Sequence, residues 1–421
     1  MKYHSLLATA AISFTMISCQ FSVAQSCLQT FNPTGFSFAP LAAGVSGNGD
    51  VVVGRGSQSG RTVAFRWSEQ DGTIHFTFGG DSAITGISHL GDVVVGWSNS
   101  PSHQRAFRWT PSGGTQDLGS LPDFPNAVAS DVSYDGSVIV GYCTVSNSSR
   151  AFRWTQAHGM QDMGLLPGYT SAYARATSAT GEVVVGQARN LPSQGRTFRW
   201  TSEGGMEDLG TLGGSESSPT DISHDGLAIT GYSTSATNQL RAYRWTQSDG
   251  MVDVGPPPEW ALVSDGWRSP RLSKDGNVVI YTASNGGQLR AFRWTATGGS
   301  VDLGTLGGLE TEVRDLSRTG AVVVGRSKNP NGYYRAFRWT SLGGMEDLGL
   351  AGVDSSEASG VSSEGAVIVG NTHVQQFSSL YLPFRWSLDF CTPCRADFNG
   401  DGVLDFFDVA AFLNAFSSAC N

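Results

Sequence analysis

Near the C-terminus the stretch DFNGDGVLDFFD sets Asp397, Asn399 and Asp401 at positions 1, 3 and 5 of a short loop, with Asp405 at position 9 and Asp408 at position 12. Gly402, at position 6, permits a sharp bend, and the Val403 carbonyl supplies position 7. Alternating oxygens of this kind are what a calcium ion takes, with about six to eight ligands. Four carboxylates converge in so short a loop only around a cation or in full hydration. The pattern predicts one calcium ion; the alternative is an acidic turn capping the helix that follows. That helix is expected because Phe406, Val409, Ala410, Leu413 and Phe416 fall on one helical face.

Elsewhere the residues able to do chemistry are mostly repetitive. Asp117, Asp162, Asp208, Asp253, Asp302 and Asp347 recur at one slot of a repeat and read as structural; no unit holds the unique close pair of carboxylates that sugar cleavage needs. Among His75, His89, His103, His158, His224 and His373 only His89 and His224 share a slot, and neither a catalytic triad nor a metal-ligand set emerges. The reading is therefore non-enzymatic, with a carbohydrate-active enzyme (glycosidase or lyase) as the alternative. Aromatic residues do break the repetition. Trp97, Tyr142 and Tyr232 each follow the glycine that ends an apolar run, and the connection GPPPEWALVSDGWRSPR adds Trp260 and Trp267. Exposed rings can stack on sugars or anchor a protein partner; the alternative is that these rings fill space above the cores.

What positions all of these residues is a repeat of about 45 residues. Aromatic-Arg-Trp, or a close variant, recurs eight times, with Trp at positions 67, 109, 154, 200, 245, 294, 339 and 386. In step with it runs Ser-x-x-Gly before a β-branched run, as in SGNGDVVVG and SYDGSVIVG. Its eight glycines lie at positions 49, 91, 136, 181, 226, 276, 320 and 365. Each unit holds four strand-like pieces separated by Asp-Gly or Gly-Gly turns, and none holds a segment of helical period. Four short strands per unit predict an all-β, eight-bladed β-propeller across residues 25–388. The last unit lacks its fourth strand, and the segment from about Leu28 to Leu41 lacks a unit, so that segment should complete the last blade and close the ring.

Strand alternation sets Arg105, Phe107 and Trp109 on one face and Ala106, Arg108 and Thr110 on the other. The central arginine should then lie between blades. Arg108 and Asp117 are nine apart, and the same spacing recurs at Arg153 and Asp162, Arg199 and Asp208, Arg244 and Asp253, Arg293 and Asp302, and Arg338 and Asp347. A four-residue turn would place each pair directly across its hairpin, with Arg66 facing His75 in the first unit.

The motifs AFRWT..GGM.DLG and S.DG..VVG, over roughly residues 37 to 387, resemble the extracellular repeat family named HAF, with arginine in the histidine slot at Arg105, Arg150, Arg196, Arg241, Arg290 and Arg335. That resemblance implies export and repetition and no known reaction. Residues 389–421 resemble the dockerin-like cassettes of GC type, whose calcium loop enters a single helix and which hold their passengers outside the cell. They differ from dockerins in carrying one loop-helix unit where dockerins carry two. A cohesin-like or cell-surface anchor is the partner this resemblance implies.

Composition and leader agree with export. Lys2, the apolar run from Leu6 to Ser18 and the small residues Ser22 and Ala24 read as a signal peptide over residues 1–24, placing the mature start at Gln25. Cys19 as a lipid-modified first residue is the alternative. No segment is long enough for a transmembrane helix. The net charge of −9, with basic residues spread thinly along the repeats, argues against a nucleic-acid surface. The expected location is extracellular or at the cell surface, with an extracellular protein or glycan as ligand. Disulfides persist there. Cys394 and Cys420 bracket the loop and helix and are expected to staple them, Cys27 and Cys391 flank the seam and are expected to lock the ring by a second disulfide, and Cys143 is left as a lone buried thiol.

Overall fold

The computed structural model describes residues 28–36, 38–190, 194–265, 268–350, 353–374 and 380–387. The calcium loop (Asp397, Asn399, Asp401, Val403, Asp405, Asp408), the cysteines Cys27, Cys391, Cys394 and Cys420, and Trp267 lie outside them. Among the described residues there are 33 strands and no helix, and the strands form eight antiparallel sheets in a closed ring, an eight-bladed β-propeller. Blades are numbered here along the chain from Phe38.

Blade 3 shows the plan. Its strands, from the axis outward, are Asn126–Val132, Val138–Val145, Ser148–Thr155 and Gly159–Asp162. Val138, Ile139 and Val140 are buried on both faces because a neighbouring blade covers each side, so an apolar run opens the second strand of every unit, broken only by Thr230 in blade 5. Between the first two strands the Ser-x-x-Gly turn bends through Gly136 at φ 75°. A side chain there would be strained and would also strike Val93 of blade 2. The turn glycine thus serves both the bend and the fit between blades. Blade 6 alone breaks its innermost strand, into Ala261–Leu262 and Arg271–Leu272, where the sequence inserts its longest connection.

The ring closes as expected. Leu28–Thr30 pairs antiparallel with Leu380–Ser387 and becomes the outer strand of blade 8, while Phe38–Val45 is the innermost strand of blade 1. The seam is sealed further by Asn371 of blade 8. Its side chain accepts from the Ala42 N–H at 2.8 Å and donates to the Ala42 carbonyl at 2.9 Å.

The hairpin register differs from expectation by one residue. Thr110 pairs with Gly114, so Arg108 faces Gln116 and Asp117 faces Phe107; in blade 1, Arg66 faces Ile74 and His75 faces Phe65. The turn has three residues, not four, because Gly114 takes a left-handed φ of 62° and rejoins the ladder, and the Thr110 hydroxyl accepts the Gly113 N–H at 3.1 Å. In this register the aspartate shares a face with the first arginine of the hexapeptide, and it pairs with that one. Arg105 meets Asp117 at 3.1 Å, Arg241 meets Asp253 at 2.9 Å and Arg335 meets Asp347 at 3.2 Å. The same aspartate also caps its own turn, as where Asp208 accepts the Gly210 N–H at 2.8 Å.

The second arginine does lie between blades, as alternation requires, but its partner is the next blade. Its Nε donates to the turn-glycine carbonyl there: Arg66 to Gly91, Arg153 to Gly181, Arg244 to Gly276, Arg293 to Gly320 and, across the seam, Arg385 to Gly49, all within 2.8–3.3 Å. Several of these guanidinium groups also lie over the tryptophan of the following blade, as Arg66 does over Trp109 at 5.0 Å. The hexapeptide thus clasps its successor in six of the eight blades, Arg108 doing so through the Trp154 ring.

Candidate functional site

The eight Ser-x-x-Gly turns gather at one end of the central channel. In each, the buried serine hydroxyl accepts the N–H of the residue five positions on, as Ser46 does from Val51 at 3.0 Å and Ser178 from Val183 at 3.1 Å. The second residue of each turn then faces the axis. These residues are Gly47, His89, Tyr134, Ala179, His224, Lys274, Arg318 and Ser363, and they line a cavity of about 220 Å³. Neighbouring turns are tied to one another through the backbone: His89 N–H donates to Tyr134, Tyr134 to Ala179, Ala179 to His224, His224 to Lys274, Asp275 to Arg318, Arg318 to Ser363, Ser363 to Gly47 and Asn48 to His89. This hydrogen-bonded circle fixes the backbone and leaves the eight side chains free to vary.

Five of those side chains are polar and large. His89 and Tyr134 stack at 4.2 Å, and His224 meets Tyr134 edge-on at 5.3 Å. One layer further in, on the innermost strands, stand Asp131, Asp221 and Asp315. Each accepts a backbone N–H from the next blade: Thr177 at 3.0 Å, Leu272 at 3.2 Å and Val361 at 3.0 Å. Asp221 also holds the Lys274 ammonium at 2.9 Å.

The confined setting moves the proton affinities apart. Burial pushes Asp131 up to about 6, although Lys274 and two backbone N–H groups pull the other way, and burial raises Asp315 too. For Asp221 burial also works upward, but Lys274 and Arg271 outweigh it and hold the carboxyl below its ordinary value. His224 is pulled down to about 4 by burial and by the charges of Lys274 and Arg318; burial and Arg318 lower His89 as well. At neutral pH the mouth therefore presents uncharged imidazoles beside two cations. Arg318 is exposed, and its guanidinium makes no hydrogen bond or ion pair to another described residue.

The aromatic candidates are dispersed. Trp97, Tyr142 and Tyr232 occupy one slot of the second strand, half-buried. That slot works as a joint: Tyr142 meets Tyr173 of the next blade at 5.0 Å, and the equivalent Gln187 donates to the Ser217 carbonyl of blade 5 at 3.1 Å. Trp260 is edge-on to Phe292 at 5.6 Å and walls a rim groove of about 380 Å³ with Arg241, Glu259 and Asn285. Tyr232 and Trp260 pack on one core cluster. Cys143 is fully buried 3.4 Å from the Met160 sulfur, and burial pushes its thiol up to about 11, as suits a lone core thiol. Among the described residues no three His, Cys, Asp or Glu side chains are placed to hold a metal.

Sequence reasoning missed the channel mouth, because it looked to the loops at the opposite end of the ring. The signal was the column of second turn residues, where His89 and His224 already shared a slot and Tyr134, Lys274 and Arg318 stand in the same column.

No protein-family model matches the chain, and no sequence among the curated proteins matches it. Solved structures do. A structure from a study of two prolyl endopeptidases aligns over 84% of this chain and 56% of its own, at 9% identity and a TM-score of 0.54. The β-propeller domain of the trilobed protease from Pyrococcus furiosus, of open velcro topology, aligns over 74% of this chain and 98% of its own, at 11% identity and a TM-score of 0.51. TolB from Acinetobacter baumannii aligns over 64% of each chain, at 14% identity and a TM-score of 0.41. This chain thus spans less than two thirds of the TolB and endopeptidase chains. At these identities the likeness is one of fold. Among the described residues no helix is long and apolar enough to cross a membrane.

Proposed function

We propose that this is an exported, non-enzymatic propeller scaffold for binding an extracellular protein or glycan, held at or near the cell surface by its calcium-binding, dockerin-like C-terminus. One observation carries the binding reading. The repeat absorbs most of the hexapeptide arginines and their aspartates into contacts within and between blades, whereas the channel mouth, on a backbone shared by all eight turns, carries five polar side chains that those contacts do not require. A rigid circle with variable side chains is how a scaffold presents a ligand site. The leader and the DFNGDGVLDFFD loop support export and anchoring on sequence grounds. Asp397, Asn399, Asp401, Asp405, Asp408 and the Val403 carbonyl would hold the calcium.

Glycan-array and extracellular-protein binding by the full mature chain tests the first part, with no retained ligand as the outcome that overturns it. Calcium titration of the same chain against an Asp397→Ala, Asp401→Ala variant tests the second. About one ion should bind to the natural chain and none to the variant; equal heats would remove the anchor. A glycosidase or lyase is the second reading, favoured by one observation, the Asp131 carboxyl raised to about 6 in a channel that also holds Asp221 and Asp315. Sugar release abolished by Asp131→Asn would establish it.

A further inference from the structure

We infer that the channel mouth is a carboxylate-binding site, taking a small acid the size of one acidic amino acid or one sugar acid between Arg318, His89 and His224. This rests on the binding reading above and names its ligand chemistry. The argument begins with donors that lack acceptors. Arg318 has its backbone locked in the hydrogen-bonded circle, donating to Ser363 at 2.8 Å and accepting from Asp275 at 3.2 Å, while its exposed guanidinium makes no hydrogen bond or ion pair among the described residues. A guanidinium fork matches a carboxylate in shape and charge. His89 and His224 hold Tyr134 between them, and neither imidazole makes a hydrogen bond to a described residue through its ring. The His89 ring is laid into a notch at Gly47, where a Cβ would collide with it and come within 2.8 Å of the Ser363 hydroxyl.

The nearby acids do not compete for these donors. Asp131, Asp221 and Asp315 are each engaged by a backbone N–H of the next blade, and Asp221 also takes Lys274. The outer tier is therefore rich in donors and the inner tier already satisfied. A cavity of about 220 Å³, open to solvent at the mouth, has room for one small organic acid.

Binding should be coupled to protons. The two histidines are held neutral in part by Arg318, with Lys274 acting on His224 as well, and a bound carboxylate offsets that pull and favours their charged forms. Affinity should therefore rise as pH falls from about 7.5 to 5.5. The other charged groups at the mouth act as follows. Asp131, at about 6, loses negative charge over the same interval and adds to the effect; Asp221 stays ionised on Lys274 beside Arg271; Glu364 of blade 8 is a partial counter-charge to His89.

The test is calorimetry on the full mature chain with galacturonate, N-acetylglutamate and inorganic phosphate at pH 5.5 and 7.5. At least one carboxylate should bind with Kd below about 1 mM, several-fold tighter at the lower pH, and which of the two binds better assigns the source as sugar acid or amino acid. Arg318→Gln should lose about tenfold in affinity with an unchanged melting midpoint, since its exposed side chain makes no hydrogen bond or ion pair among the described residues. A His89→Gln, His224→Gln double variant should bind more weakly at both pH values and lose most of the pH dependence, keeping only the share that Asp131 adds. The assignment is overturned if neither carboxylate binds, if phosphate binds as well as both, or if Arg318→Gln leaves affinity intact. A chain that binds no carboxylate yet retains a glycan or protein elsewhere on the ring loses only this inference. One that retains nothing loses the binding reading too.

Discussion

Two arginines three positions apart in one hexapeptide have different work, and the difference is measurable. Asp208 is 42% exposed and lies 3.8 Å from Arg196, so its ion pair is screened, and Asp208→Ala should cost about 1 kcal/mol or less, mainly through the lost bond to the Gly210 N–H. Arg153 instead donates at 3.0 Å to the carbonyl of Gly181 in the next blade, and Arg153→Met should cost about 2 kcal/mol. Urea denaturation of the two variants would show the order; a larger loss at Asp208 would refute the assignment. At the channel, Asp131 and His224 give opposite slopes. Between about pH 4 and 6 the folded chain keeps a proton on Asp131 that the unfolded chain, near 3.8, has released, so this residue lowers stability as pH rises. Between about 4 and 6.5 the unfolded chain protonates His224 and the folded chain does not, so that residue raises stability with pH. Relative to the natural chain, Asp131→Asn should tilt the melting curve upward with pH across this window, and His224→Gln should tilt it downward. Superimposable pH profiles for all three proteins would show that neither site is perturbed as described.

At the scale of the element, the hairpin between the third and outer strands is governed by one backbone angle. Nothing lies within 4 Å of a Cβ placed on Gly114, so Gly114→Ala meets no steric obstacle and its cost is the left-handed φ alone, about 1 kcal/mol. Thermal unfolding would check this: a neutral substitution would mean that the turn relaxes to four residues, the register expected from sequence. The strands themselves were legible, because Ser-x-x-Gly, the β-branched run and the hexapeptide are local signals that repeat eight times. The register was not. A three-residue and a four-residue turn both accommodate Thr-Pro-Ser-Gly-Gly, and a shift of one residue transfers Asp117 from the second arginine to the first.

For the whole molecule, closure is the property that matters. Leu28–Thr30 on Leu380–Ser387, Asn371 on Ala42 and Arg385 on Gly49 join residues more than 300 positions apart. Asn371 is 5% exposed, and Asn371→Ala would strand the Ala42 N–H between blades, while the carbonyl keeps the Ser359 hydroxyl at 2.9 Å, at a cost of about 1–3 kcal/mol. Amide exchange should then accelerate first in blades 8 and 1. Uniform acceleration around the ring would mean that the seam is no weaker than any other joint. The sequence by itself determined the blade count, the order of strands and the place of the seam, since a period of about 45 residues and an unpaired strand at each end are properties of the chain read linearly. Only the tertiary structure decided what each arginine touches and that His89, Tyr134, His224, Lys274 and Arg318 share one mouth. The physical reason is distance along the chain. Those five residues come one per repeat, from turns that look alike and carry no mutual signal, and they become neighbours only when the last blade meets the first and the turns close into a circle.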